Sequence, residues 1–260
     1  MWDAAQYLKF ADERSRPFAD LVSQVHKADV GFIVDLGCGA GNLTRSLVER
    51  WPDAEIVGVD SFAEMLAQAS VLTIPGRLEF VQGDIRAWSP PRPVDLLVSN
   101  AALQWIDDHA TLLPRLADML APGGTLAVQL PNSFHTASHL AIEETALDPR
   151  WADTVRGVGL HRESVKPLRW YVDCLHDLGF RVNAWETTYY HILRGENPLL
   201  EWMKGTALRP LLARLNESQN QGFLDAVGRR FKAAYPARGE ITVLPFPRIF
   251  FVANRKERGA

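Results

Sequence analysis

The run Asp35-Leu36-Gly37-Cys38-Gly39-Ala40-Gly41-Asn42 has the residue types for cradling a nucleotide rather than for acid–base work. Glycines adopt positive φ and let backbone amides approach a ligand closely. Asp60 follows Gly41 by 19 residues, a position that suits a carboxylate accepting hydrogen bonds from ribose hydroxyls. The run has no Gly-Lys-Ser or Gly-Lys-Thr ending, which excludes a nucleoside-triphosphate loop. A dinucleotide loop reads G-x-G-x-x-G. Here the third glycine comes one residue early and an acid, Asp35, precedes the loop. On these residues alone a dinucleotide oxidoreductase stays open beside other nucleotide-type ligands.

Such a loop needs a strand to deliver it and a helix to receive it. Phe32–Leu36 reads as a buried strand, and a helix runs from Asn42 to about Trp51 with Leu43, Leu47 and Val48 on one face. Glu55–Asp60 is a second strand, after which Ser61 and Glu64 form a capping-box pattern that opens a helix. Further strands are expected at Leu78–Val81, Val94–Val98 and Thr125–Leu130, with a helix over Asp108–Leu120 and a turn at Pro122-Gly123-Gly124. Alternating strands and helices imply parallel βαβ units. In the second half a helix ends at Gly179, a strand follows over Phe180–Ile192, and the last strand spans Ile241–Asn254. Pro245 and Pro247 lie inside that last strand, which is therefore expected at an edge or with a bulge. The fold class is α/β, a Rossmann-like sheet of seven mostly parallel strands with helices on both faces and an antiparallel last strand. A single domain over 1–260 is expected, its core at about 30–131, 167–194 and 240–254. Helical cap insertions then occupy about 132–166 and 195–239.

Composition narrows the classes further. With 260 residues, 47% hydrophobic, the chain can bury a sizeable core, and its net charge of −3 argues against a dedicated nucleic-acid binder. Cys38 and Cys174, the two cysteines, give neither a disulfide framework nor a zinc pattern. His135 and His139 have a metal-compatible i, i+4 spacing, but no third ligand accompanies them, so no metal is expected. The amino-terminal residues show no basic-then-apolar signal, and no run of 18 apolar residues occurs, so a cytoplasmic protein without membrane contact is expected. Arginine outnumbers lysine 22 to 6. A few of those guanidinium groups have the shape to grip a carboxylate bidentately.

The loop and its companions resemble the class I S-adenosylmethionine (SAM)-dependent methyltransferases. Val34-Asp35-Leu36-Gly37-Cys38-Gly39-Ala40-Gly41 resembles their first motif and Val59-Asp60 their ribose-binding acid. Gln82-Gly83-Asp84-Ile85 resembles the motif whose Asp meets the adenine amino group, and Leu120-Ala121-Pro122-Gly123-Gly124 the turn before the fifth strand. The resemblance implies SAM as methyl donor, S-adenosylhomocysteine as product, and contacts from Gly37, Cys38, Gly39, Asn42, Asp60, Ser61, Met65, Asp84, Ile85 and Asn100.

A closer resemblance, to the trans-aconitate methyltransferases, covers almost the whole chain. It is carried by Tyr7-Leu8-Lys9-Phe10, Arg14-Ser15-Arg16-Pro17-Phe18, Ser99-Asn100-Ala101-Ala102-Leu103-Gln104-Trp105 and Val128-Gln129-Leu130-Pro131. Trp185-Glu186-Thr187-Thr188-Tyr189-Tyr190-His191 and the segment Trp202–Pro210 are the most specific. The resemblance implies methyl transfer to a carboxylate of trans-aconitate, a small tricarboxylate. A carboxylate is ionised at pH 7, with a pKa near ~4, so no general base is required. Arg14 and Arg16 are expected to hold the other carboxylates, Tyr7, Tyr171, Tyr190 and His191 to add hydrogen bonds, and Trp105 to wall the methyl. Another small acid as substrate, or a SAM-binding protein without transfer activity, remains an alternative.

Overall fold

The computed structural model describes residues 11–158 and 164–256, with side chains from Ser15 onward. A helix, α1 (Ala11–Ser23), precedes five strands and three helices: β1 (Phe32–Leu36), α2 (Asn42–Arg50), β2 (Glu55–Asp60), α3 (Ala63–Ala69), β3 (Leu78–Gln82), β4 (Val94–Asn100), α4 (His109–Asp118) and β5 (Leu120–Pro131). Then come α5 (Ala137–Ala146), α6 (Ala152–Val155), α7 (Leu168–Asp177), β6 (Phe180–Arg194), α8 (Pro198–Lys204), α9 (Arg209–Leu212), α10 (Glu217–Ala234) and β7 (Ile241–Arg255). The seven strands form one sheet in the order β3-β2-β1-β4-β5-β7-β6. β1 to β5 pair in parallel, and β7 is antiparallel to both its neighbours. The chain leaves β1 toward β2 on one side and β4 on the other. The carboxyl ends of β1 and β4 therefore flank the crevice where open α/β sheets bind ligands.

Strand alternation builds a core on each face. Ile33, Ile56, Leu96 and Val252 face α1 and α2, meeting Phe18, Leu21, Leu47 and Trp51. Val34, Val57, Leu97 and Phe251 face α4 and α7, meeting Leu112, Leu116, Tyr171 and Leu175. A third cluster joins α5, α6, α8, α9 and α10 to Leu193, Leu244 and Phe246 at the far ends of β6 and β7. Trp151 and Phe223, ring centroids 5.5 Å apart at 86°, lock α10 onto it. α10 begins with the capping box expected of a long helix, Asn216 and Gln219 exchanging side-chain and backbone hydrogen bonds.

Three local expectations are corrected. The last strand is not an edge strand, because β7 lies between β5 and β6. Its prolines are tolerated because β5 pairs only from Arg248 onward, at Pro131↔Arg248, whereas β6 follows β7 back to Ile241. Pro245 stands beyond the end of β5, and at Pro247 only the Asn132 N–H still reaches β7, so the prolines fall where the β5 ladder ends. Ser61 does not cap α3. Phe62 is the N-cap without a side-chain bond, and Asp60 accepts the Phe62 N–H instead at 2.9 Å. Pro122-Gly123-Gly124 lies within β5 rather than before it, at a register shift between Val94 and Leu96 of β4. A Cβ at Gly124 would stand 2.8 Å from the Ala121 carbonyl and 2.9 Å from that of Val94, so only glycine passes there.

Candidate active site

The glycine loop is tied to β2 at its start: the Gly37 and Cys38 N–H groups both donate to the Val59 carbonyl, at 2.8 and 3.0 Å. Gly37, Gly39 and Gly41 all have positive φ, but they do different jobs. A Cβ on Gly37 would lie 2.2 Å from the Ala102 Cβ, and one on Gly41 would lie 2.6 Å from the Phe80 ring. Those two glycines let the loop close against its neighbours. Nothing lies within 4 Å of a Cβ on Gly39, which lines a cavity of about 620 Å³. The Gly39 position is the open cradle.

Asp60, at the end of β2, is set before any ligand arrives. Its Oδ2 accepts the Gly39 N–H at 2.9 Å and its Oδ1 the Phe62 N–H, which fixes the carboxylate on the cavity wall. Beneath the loop Asp35 is fully buried, and Thr44 Oγ1 donates to its Oδ2 at 2.6 Å. Burial pushes the Asp35 pKa up to about 7, the Asp60 charge adding to the effect while the Thr44 bond opposes it. Asp84 follows β3, with Arg86 forking onto it (Nε–Oδ1 3.0 Å, Nη2–Oδ2 2.5 Å). These bonds hold the Asp84 carboxyl down at about 2. Met65 and Ile85 add apolar wall.

At the end of β4 the backbone turns sharply. Ala101 has φ of 52°, strained for a residue with a Cβ, and its N–H donates to the Gln129 carbonyl of β5 at 3.0 Å. The strain delivers Ala102 against Gly37 and sends Gln104 and Trp105 to the cavity wall. Asn100 Oδ1 and Gln104 Oε1, both buried, have no hydrogen-bond partner among the described residues. Unpaired buried acceptors are costly, and these two stand ready for ligand donors.

A buried network holds this turn from behind. His109 Nε2 donates to the Leu103 carbonyl at 2.8 Å, while the Tyr171 hydroxyl donates to His109 Nδ1 at 2.6 Å and accepts the Lys166 N–H at 3.1 Å. These roles require the neutral imidazole, and burial lowers the His109 pKa accordingly. Ser164 Oγ donates to the Gln104 carbonyl at 2.8 Å.

The far wall of the same cavity comes from the second half of the chain. His139 and Glu143 project from α5, Trp202 and Met203 from α8, Arg209 from α9, and Phe246 and Arg248 from β7. His139 packs edge-on against Phe134, centroids 5.2 Å apart, and burial lowers its pKa to about 4. Its Nδ1 has no hydrogen-bond partner among the described residues. Arg248 is 4% exposed, lies 4.8 Å from the Phe246 ring centroid and donates from Nη1 to Gln129 Oε1 at 2.9 Å.

The expected cofactor residues Gly37, Gly39, Asp60, Ser61, Met65, Asp84, Ile85 and Asn100 meet on one side of the cavity, and Trp105 joins them. Cys38 and Asn42 do not line it. The Cys38 side chain packs toward Gly58 of β2, and Asn42 is exposed at the start of α2. The expected substrate residues divide more sharply. Tyr171 is 1% exposed and belongs to the core beneath the Leu103 turn, outside the cavity lining. Tyr190 is 66% exposed on the outer strand β6, where alternation turns it away from the interior. Arg16 is exposed on α1, 3.9 Å from Asp20 and over the Tyr189 ring, outside the cavity lining. His191 is buried one layer behind the wall, stacked on Trp202 at 4.6 Å. Tyr7 and the Arg14 side chain lie outside the described residues. Sequence reasoning missed Arg209, Arg248, Gln104 and His139. For Arg248 the available signal was a lone arginine inside the apolar run Phe246–Val252.

Residues 33–124 match a family described as a methyltransferase domain. Relatives named trans-aconitate 2-methyltransferase include those of Streptomyces avermitilis, 46% identical over 98% of this chain and 97% of theirs, and of an Azoarcus species, 45% identical over 98% and 99%. The Escherichia coli O157:H7 protein of that name is 42% identical over 98% of this chain and 99% of its own. Among solved structures, phosphoethanolamine N-methyltransferase 2 of Haemonchus contortus with S-adenosyl-L-methionine superposes with a TM-score of 0.56. The match is 17% identical and covers 93% of this chain and 53% of that one. The [4+2]-cyclase SpnF superposes at 0.55, with 13% identity over 94% and 82%. A cyclase on this fold shows that architecture alone does not name the reaction.

Proposed function

Since this chain belongs to the trans-aconitate 2-methyltransferase family of SAM-dependent methyltransferases, we propose that it methylates a carboxylate of trans-aconitate, giving a monomethyl ester. The observation that carries the reading is a cavity lined by the nucleotide-type residues Gly39, Asp60 and Asp84 together with Arg209 and Arg248.

The residues present fit SAM. Gly39 leaves the open cradle, Asp60 offers a fixed carboxylate for ribose hydroxyls, Asp84 an acceptor for an adenine amino group, and Met65 and Ile85 an apolar clamp. Bound there, SAM supplies an electrophilic methyl group on a sulfonium. The chain itself has little chemistry to do. The acid arrives ionised, so the protein acts by alignment and by excluding water rather than by proton transfer. Trp105 and the Ala101–Ala102 turn stand between the two walls. Arg209 and Arg248 provide positive charge at the acid end, and Tyr7 and Arg14 belong to this reading as further contacts. The helices of 132–166 and 195–239 act as the substrate cap of one domain working in the cytoplasm. Among the described residues no helix is long and apolar enough to cross a membrane, and no metal takes part in the reading.

Labelled SAM offered with a panel of di- and tricarboxylates tests this. Label in a base-labile ester of trans-aconitate is the expected result; turnover of a different acid with trans-aconitate untouched would overturn the substrate. Tight SAM binding with no acid methylated would overturn the enzyme reading.

A further inference from the structure

β7 carries a buried cation to a point where the sheet opens. β5 stops pairing at Pro131↔Arg248, the Asn132 N–H donating once more to the Pro247 carbonyl at 2.9 Å, while β6 and β7 continue as a two-stranded ribbon. Phe246 and Arg248, two residues apart and so on one face of the strand, line the cavity in the gap that β5 leaves. The Arg248 guanidinium is held in place before any ligand arrives. Gln129 of β5 accepts from its Nη1, and the Phe246 and Tyr189 rings lie 4.8 and 5.9 Å from it. Gln129 is itself fully buried. A guanidinium is a planar fork of donors whose shape matches a carboxylate entering the cavity it lines. Preorganisation of this kind removes the ordering cost of binding.

Arg209 differs. It is half-buried on the four-residue α9, in the cap rather than the sheet, and lines the same cavity.

Building on the proposed function, we propose that Arg248, braced by Gln129, anchors one non-reacting carboxylate of the acid and Arg209 the other. The pair thereby selects acids with two carboxylates besides the one that is methylated. Arg248 and Arg209 touch the acid; Gln129 acts through Arg248 as a positioning residue.

The test pairs deletions in protein and ligand. Mesaconate, itaconate and cis-glutaconate each lack a different one of the three carboxylates of trans-aconitate. Arg248→Met should raise the KM for trans-aconitate about 30-fold or more with a smaller change in kcat, since bidentate charge-assisted bonds are lost. The dicarboxylate that lacks the anchored group should change less than about 3-fold in kcat/KM, as expected when the two deletions are coupled. Arg209→Met should spare a different dicarboxylate. Gln129→Met should raise KM with kcat kept, and Arg248→Lys should fall between wild type and Arg248→Met. Binding of S-adenosylhomocysteine, measured by calorimetry, should be unchanged in every variant and reports that each is folded. Calorimetry of trans-aconitate with the S-adenosylhomocysteine-loaded protein reads the anchor without turnover. Equal losses on all four acids, or normal trans-aconitate binding by Arg248→Met, would overturn the proposal. Should the wild type bind trans-aconitate in an Arg248-dependent way yet methylate another acid, the function fails and the anchor stands. If it binds none of the four acids, both fail.

Discussion

The cavity wall from Gly37 to Asn100 is made of strand ends and turns within one stretch of 64 residues, each turn tied to an adjoining strand of the sheet. The wall from Gln104 to Arg248 draws on α5, α8, α9 and β7, elements separated by up to a hundred residues and joined only in the third core cluster. On the first wall one glycine is left open and one carboxylate is already fixed by two N–H groups. On the second, a guanidinium is stacked on a ring and tied to an amide from another strand. Local geometry suffices to build a nucleotide-type cradle. A pocket for a particular acid needs long-range packing.

Glycine substitutions separate scaffold from cradle most strongly. Gly37→Ala should destabilise the fold by about 2–5 kcal/mol, from positive φ plus the clash with Ala102, seen as a large fall in Tm. Gly39→Ala should cost only about 1–2 kcal/mol of stability, yet weaken SAM binding tenfold or more because its methyl enters the cavity. Equal stability losses in the two variants would erase the distinction.

Asp35 gives the next largest effect. In the folded chain it keeps its proton up to about pH 7, whereas unfolded it loses it near 3.8. The folded state therefore binds more protons between those values, so the contribution of Asp35 to stability is greatest below pH 4 and declines through pH 7, by an amount on the order of 4 kcal/mol. Denaturant titrations of Asp35→Asn should show this slope removed, with the Thr44 bond retained by the amide oxygen.

Asp60→Ala should lower SAM affinity by about 1.5–3 kcal/mol, read by calorimetry, and leave the acid KM nearly unchanged. Unaltered affinity would remove Asp60 from the cradle.

The smallest effects fall on the two tyrosines that the far wall does not use. Tyr171→Phe strips a partner from His109 Nδ1 and the Lys166 N–H, so about 1–2 kcal/mol of stability should go, with the acid KM unmoved. Tyr190→Ala, on an exposed strand face, should change neither Tm nor kcat/KM. A raised KM in either variant would return that tyrosine to the substrate site.

The parallel sheet, the glycine loop and Asp60 were legible because their signals are local: period-two burial, positive-φ glycines, and an acid at the next strand's end. The capping pattern at Ser61 misled because the helix starts one residue later, with Phe62 as its N-cap and Asp60 accepting the Phe62 N–H. Tyr171 and Tyr190 misled because an aromatic hydroxyl looks the same in sequence whether it braces a turn, faces water or meets a ligand. Pro245 and Pro247 were legible as a break in hydrogen bonding, but not as the place where β5 ends.

What the amino-acid sequence determined by itself is the α/β alternation and the residues of the cofactor cradle, since each of these has its signal at the end of a strand within one stretch of chain. Only the tertiary structure decided which arginines line the cavity. Arg248 reaches the cavity because β7 enters between β5 and β6 and outruns β5 at Pro131. That register arises from pairing more than a hundred residues apart, which no local pattern encodes.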